Sequence, residues 1–277
     1  MSQSVLYTEE LALGASFNEG DALTGPASYL ATDESKPFKE GAALTDLSGM
    51  LLLVGGGSPT PSFMGATLGG RKLQVGECSF EVSLLGDGAI ASIPLAARTG
   101  EGEFLIMDAS PRASVLGGWL DFIAKVEQGG IRPYVGLALK EMTDRLVPLA
   151  LAGPAAQAVL SDYVPKGQSL PKSGQVENLD LDGHITSIVM RPDLPGDPNY
   201  LLLVPPAYAR VLWRSLLSFN TVTPVGYQAH LSWRGSVLPS LSRLDELDRL
   251  SMFPAELSHD GLIRLEHDFI GARGLFG

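Results

Sequence analysis

The residues best able to do chemistry are thinly spread along this chain of 277 residues. Four histidines (His184, His230, His259 and His267) and one cysteine, Cys78, are the obvious metal ligands or nucleophiles. Zinc-type sites need such residues in closely spaced pairs, and none stands so. No G-x-S-x-G elbow, Walker-A loop, H-E-x-x-H or Cys-x-x-Cys occurs. Gly55-Gly56-Gly57 ends an apolar run, LLLV, and precedes Ser58-Pro59, a pair that opens helices. Backbone N–H groups at such a junction can cradle a phosphate. The triplet lacks the G-x-G-x-x-G spacing, however, and a plain helix-entry turn accounts for it.

Around these residues the pattern predicts many short elements. A strand-like stretch runs from Ala43 to Val54, and a short helix starts at Ser58-Pro59. Strands are expected at Cys78–Leu85, Ile90–Ala97 and Phe104–Met107. A helix then opens at Ser110-Pro111 with Val115, Leu116, Trp119, Leu120 and Ile123 on one apolar face. The second half reads in the same order: strand Leu146–Ala152, a helix opened by Gly153-Pro154, strands Ile185–Met190 and Tyr200–Val204, and a helix from Pro206 to about Ser218. Tyr227–Trp233 reads as a last strand. Residues 1–40 alternate polar and small types and read as an entry segment on the surface.

The two halves also repeat in detail. Gly88–Ile93 recurs as Gly183–Ile188, and Phe104–Leu120 recurs as Tyr200–Leu216, 95 to 96 positions on. Stacked solenoid repeats run at roughly 20 to 50 residues, so this is a domain-sized duplication. The expected fold class is α+β, a β-α-β-β-β-α unit occurring twice, with helices covering mainly antiparallel sheets. The expected division is an entry segment at 1–40, a first pseudo-repeat at 41–145, and a second with its C-terminal segment at 146–277.

Several blocks, in order, resemble the glycine-cleavage T-protein (aminomethyltransferase) family, whose members use tetrahydrofolate. Leu137–Leu160 resembles its strand–G-P–helix segment, and Asp46-Leu47-Ser48-Gly49-Met50 its D-[VL]-S-H-M block with glycine for histidine. Phe104–Leu120 resembles the strand and helix after its G-G-I-x-D-D turn, and Pro224–Arg234 its P-x-G-x-x-A-R-x-x-x-R stretch. Met252–Gly271, with Pro254, Glu256 and Asp268-Phe269-Ile270-Gly271, resembles its T-P-x-E-A-G-L…D-F-I-G block. The resemblance spans about residues 40 to 275 and implies the same duplicated fold.

It also implies a tetrahydrofolate cofactor, with Met50, Phe80, Asp197, Tyr200 and Arg234 at the pterin. Asp197 stands in Asp193–Tyr200, where the family carries a glutamate. One carboxylate accepts the side-by-side amino and ring N–H donors of a pterin. Met50 and Phe80 read more readily as simple core residues, and Asp197 as an ordinary turn residue. Acids are missing at two of the family's positions. The N-D-[VI] stretch is Ala66–Leu73 here, without an acid, and the D-D pair is Ala91-Ser92. A carboxylate that stabilises charge and steers a proton is worth about 10² to 10⁴ in rate. The implied function is therefore one-carbon transfer to or from tetrahydrofolate, methyl transfer or demethylation rather than aminomethyl transfer, with no catalytic acid or base assigned. The alternative is a non-catalytic folate-binding subunit or an assembly or regulatory protein. The family's C-terminal barrel is expected to be lacking, and a partner supplying it, or a methyl carrier, is expected beside folate and a small one-carbon donor.

Composition narrows the rest. A net charge of −11 argues against nucleic-acid binding, which needs a basic field. No apolar run of 18 residues is present, so no membrane helix is expected. A single cysteine and no visible secretory signal point to the cytoplasm.

Overall fold

The computed structural model describes residues 3–21, 23–29, 33–127, 129–245 and 248–277. Two compact units make up the chain, Met1–Met50 with Thr143–Val237, and Leu51–Met142 with Leu238–Gly277.

The first unit is built on a six-stranded sheet in the order Gln175–Leu181, Ile185–Arg191, Asn199–Val204, Val147–Ala152, Ala42–Asp46, Val222–Pro224. The second has a five-stranded sheet in the order Cys78–Phe80, Leu95–Gly100, Glu103–Asp108, Leu51–Gly56, Ala138–Glu141. Among the described residues every pair in these sheets is antiparallel except Val222–Pro224 with Ala42–Asp46. The first five strands of the six match the five strand for strand, which bears out the duplicated α+β reading. Each sheet takes its fifth strand from the segment before the other repeat: Ala42–Asp46 pairs with Val147–Ala152, and Ala138–Glu141 with Leu51–Gly56.

The hairpin tips carry the repeat into the backbone. Asp182 and Gly183 have φ of 52° and 72°, and Gly88, 95 positions before Gly183, has 84°. A left-handed residue at the tip matches the twist of the flanking strands, and glycine adopts it without a Cβ penalty.

Helices Ala113–Ala124 and Pro206–Leu216 supply the matching core faces. Leu116, Leu120, Leu212 and Leu216 are all fully buried, while Val115 and Val211 sit on the exposed side of their helices at 39% and 59%. Val115 therefore does not belong to the apolar face expected of it. Its i−1 spacing to Leu116 rotates it about 100° away from the sheet. In the first unit Leu149, Leu151, Leu202, Val204, Leu212 and Trp213 form one core; in the second, Leu53, Phe63, Phe104, Ile106, Leu116 and Leu120 form another.

Four local expectations change. Ala43–Val54 is two strands, because the Asp46 carboxylate accepts the N–H and hydroxyl of Ser48, 2.8 and 2.6 Å away, and turns the chain. Tyr227–Trp233 lies in helix Tyr227–Val237, where Tyr227 and His230 are buried three residues apart. A short apolar run does not distinguish period 2 from 3.6. The stretch Gln175–Leu181, outside every expected strand, is a strand whose Val176, Leu179 and Leu181 are buried. The entry segment does not merely coat the surface, since Leu6 and Glu10 are fully buried.

Candidate functional site

In the first unit, Met50 closes the turn after Ala42–Asp46, its N–H bonded to the Leu47 carbonyl at 3.0 Å, and its side chain is buried. Tyr200 lies on Asn199–Val204 within the core, with the Arg191 guanidinium 5.8 Å from its ring centre. Burial pushes the Tyr200 phenol up, and Arg191 partly offsets this. Tyr200 and Arg191 line a cavity of about 440 Å³ together with Lys166 and Lys172. Asp197, in the loop before that strand, is exposed and is not in the cavity's wall.

Arg234 is half-buried on helix Tyr227–Val237. His230, one turn before it, is packed between Phe38 and Trp233, with ring centres 6.2 and 5.6 Å away. Burial first, and then the Arg234 charge, hold this imidazole neutral, pushing its pKa down to about 3. Phe80 belongs to the second unit, buried on strand Cys78–Phe80. The structure thus sets Met50, Asp197, Tyr200 and Arg234 in one unit and Phe80 in the other. Of the five, Met50, Phe80 and Tyr200 are buried, so Asp197 and Arg234 hold the polar atoms best able to meet a ligand.

Two aspartates share a motif that the sequence reading passed over. Asp46 Oδ1 accepts the Ser48 N–H at 2.8 Å, and Asp108 Oδ1 accepts the Ser110 N–H at 2.8 Å. Each second oxygen takes a serine hydroxyl at 2.5 Å, from Ser4 and Ser92 respectively. The repeated D-x-S spelling was the available signal. In the first unit Glu10 lies beside Asp46, and desolvation, then the Asp46 charge, push the Glu10 carboxyl up to about 10.

The second unit holds a cavity of about 500 Å³ along helix Thr60–Thr67 and the segment after it. Met64, Leu68, Leu73 and Phe104 give it apolar wall, and Glu81 and Arg71 contribute charge. Glu81 is 1% exposed. Burial pushes its carboxyl up to about 8, although Arg71 first and then Arg264, the Ser79 hydroxyl and the Gly70 backbone work the other way. Gly70 makes this packing possible, because a Cβ there would collide with Glu81 Oε2. The stretch Ala66–Leu73 carries no acid of its own, yet Glu81, just past strand Cys78–Phe80, lies against it at Gly70.

Among the described residues no helix is long and apolar enough to cross a membrane. A family model described as the GCVT N-terminal domain matches residues 6–236. The fold is similar to that of glycine cleavage system aminomethyltransferase T from Bartonella henselae, at 21% identity and a TM-score of 0.73, over 99% of this chain and 74% of that one. A looser likeness, at 16% identity and a TM-score of 0.46, is to heterotetrameric sarcosine oxidase from Corynebacterium sp. U-96, over 78% of this chain and 93% of that one. No curated protein matches the chain.

Proposed function

Since the chain belongs to the GCVT N-terminal domain family, we propose that it binds tetrahydrofolate and takes part in one-carbon transfer to or from it. The observation that carries this is the extent of the family match, residues 6–236 of 277, over a fold duplicated strand for strand.

Within the first unit, a carboxylate in Asp197 and a guanidinium in Arg234 have the right chemistry for the polar groups of a pterin. When bound, the reduced folate supplies the nitrogen that accepts or releases the one-carbon unit. Asp197 accepts the amino and ring N–H donors, and its exposure lets it do so without first giving up an internal partner. Arg234 holds a fixed positive charge, and the neutral His230 beside it adds none. With no acid in Ala66–Leu73 to stabilise positive charge on the transferred carbon, we assign methyl transfer in preference to aminomethyl transfer.

One observation favours a second reading, that of a non-catalytic folate-binding subunit or a regulatory member. Ser92 stands where the family has an acid; it is fully buried, and its hydroxyl is committed to Asp108. It is therefore in no position to handle a substrate proton.

Anaerobic isothermal titration with tetrahydrofolate and with 5-methyltetrahydrofolate tests the proposal. Saturable binding is expected, and Asp197→Ala or Arg234→Ala should each weaken it by about 1–3 kcal/mol, the usual loss for a charged partner. No binding up to millimolar ligand overturns the folate reading. Tight binding with no methyl loss to added thiol or amine acceptors selects the non-catalytic reading.

A further inference from the structure

The duplication supplies its own control for the outer sides of the two matching helices. In the first unit the outer side of helix Pro206–Leu216 is mostly polar. Arg214 donates to the Glu9 carboxylate at 2.9 and 2.7 Å, and Arg210 to the Val5 carbonyl at 3.3 Å, which ties the N-terminal helix Tyr7–Ala12 to it. Ser215 is bonded to the Tyr163 hydroxyl, and the Ser218 hydroxyl donates to the Ser215 carbonyl. At the matching places of helix Ala113–Ala124 in the second unit, 96 positions earlier, Arg214, Ser215 and Ser218 are replaced by Gly118, Trp119 and Phe122. Phe122 is 60% exposed, with Trp119 half-buried and stacked on it, ring centres 5.7 Å apart. Val115 is exposed on the same helix. The fold tolerates polar side chains at these places in one repeat, so an apolar patch at them in the other marks a contact surface rather than a packing need.

Shape and charge define what covers it. Gly118 is exposed, and a Cβ there would meet nothing within 4 Å. Phe122, one turn on, projects from the same stripe of the helix. A recess and a protrusion one turn apart are self-complementary. A twofold axis passing between them, at the level of Leu120, sets each Phe122 over the Gly118 of a second copy, with the helices antiparallel. The helix carries one charged residue, Asp121, and Lys125 at its end neutralises it at 2.7 Å. The face therefore offers a charged partner nothing to pair with, whereas a second copy asks for nothing. We propose that helix Ala113–Ala124 is the isologous contact of a reversible homodimer, Phe122 packing over Gly118 in both directions. A single helix of 12 residues buries less than the roughly 800 Å² per partner of a stable complex, and two chains of net charge −11 repel, so association is weak, in the micromolar range. The inference goes beyond the folate reading and uses none of its residues.

Sedimentation equilibrium of the full chain from about 1 to 500 µM is the test. The mean mass is expected to climb from one chain to two and no further. Added salt should move the climb to lower concentration, because it screens the repulsion and leaves the apolar contact. Phe122→Glu, at an exposed site, should weaken association by about tenfold or more. Gly118→Arg, which copies the other repeat, should do the same while raising the melting temperature of the dilute chain, since arginine is the better helix former. That rise separates a lost contact from a lost fold. Val211→Glu, on the matching helix of the first unit, should leave association unchanged. A chain monomeric at every concentration overturns the proposal and leaves the face to a foreign partner. A dimer that survives both Phe122→Glu and Gly118→Arg also overturns it, as does growth beyond two copies, which a twofold contact does not support.

Discussion

Glu10 and Asp46 place two carboxyl groups side by side in the interior of one unit, both fully buried. Burial pushes the Asp46 carboxyl up as well, but the Ser4 hydroxyl and the Ser48 hydroxyl and N–H work the other way, so of the two Glu10 is the member that holds a proton more tightly. An acid whose folded pKa of about 10 lies above its ordinary 4.5 stabilises the fold fully below pH 4.5 and loses that contribution as pH rises towards 10. Glu10→Gln, which keeps a donor towards Asp46 and cannot ionise, should raise the melting temperature at pH 8 and leave it nearly unchanged at pH 4.5. A larger gain at the acid end would contradict the assignment.

His230 contributes the opposite slope. Its folded pKa of about 3 lies below the ordinary 6.5, so the unfolded chain binds a proton that the folded one refuses between those values. Stability therefore falls as pH drops from 6.5 towards 3. Replacing His230 with Gln, which is neutral throughout, should flatten the acid limb of a denaturation-midpoint profile between pH 6.5 and 4. A limb of unchanged steepness would assign the acid sensitivity to other groups.

Ser92 and Asp108 form the second unit's counterpart of Ser4 and Asp46, each bond 2.5 Å long and buried. Removing either hydroxyl leaves a carboxylate oxygen short of a partner in the interior, a loss of about 1–3 kcal/mol. Ser4→Ala and Ser92→Ala should therefore lower the urea midpoint by similar amounts. Neither should alter tetrahydrofolate affinity by as much as Asp197→Ala.

How far these features were legible depended on periodicity. The paired helices could be read because Leu116, Leu120, Leu212 and Leu216 fall on a 3.6-residue face, and the strand runs LLLV and LALA because both of their faces are buried. Gln175–Leu181 was obscured by its polar residues, since an outer strand buries only part of its length. Glu81 was hidden for a different reason. Between Phe80 and Val82 it reads as the solvent-facing member of an alternating strand, and only the absence of a side chain at Gly70, ten residues earlier and unrelated by any local period, lets its carboxyl fold inward. The family-based residues Asp197 and Arg234 were found through the order of motif blocks, which no local pattern would have supplied.

The duplication itself yields a stability prediction. Leu116 and Leu212 occupy the same position in the two repeats, 96 residues apart, each fully buried in its own core. Truncating either to alanine removes three buried carbons and leaves a void that close-packed neighbours fill only partly, a cost of about 2–5 kcal/mol. Val115→Ala and Val211→Ala, on the exposed side of the same helices, should cost less than about 1 kcal/mol. Because the two leucines sit in separate units, the double variant should lose the sum of the single losses within about 0.5 kcal/mol. Urea denaturation of the four single variants and the double would check both statements. A double variant well short of the sum would show that the two cores unfold with shared partners, and the repeats would then not be energetically independent.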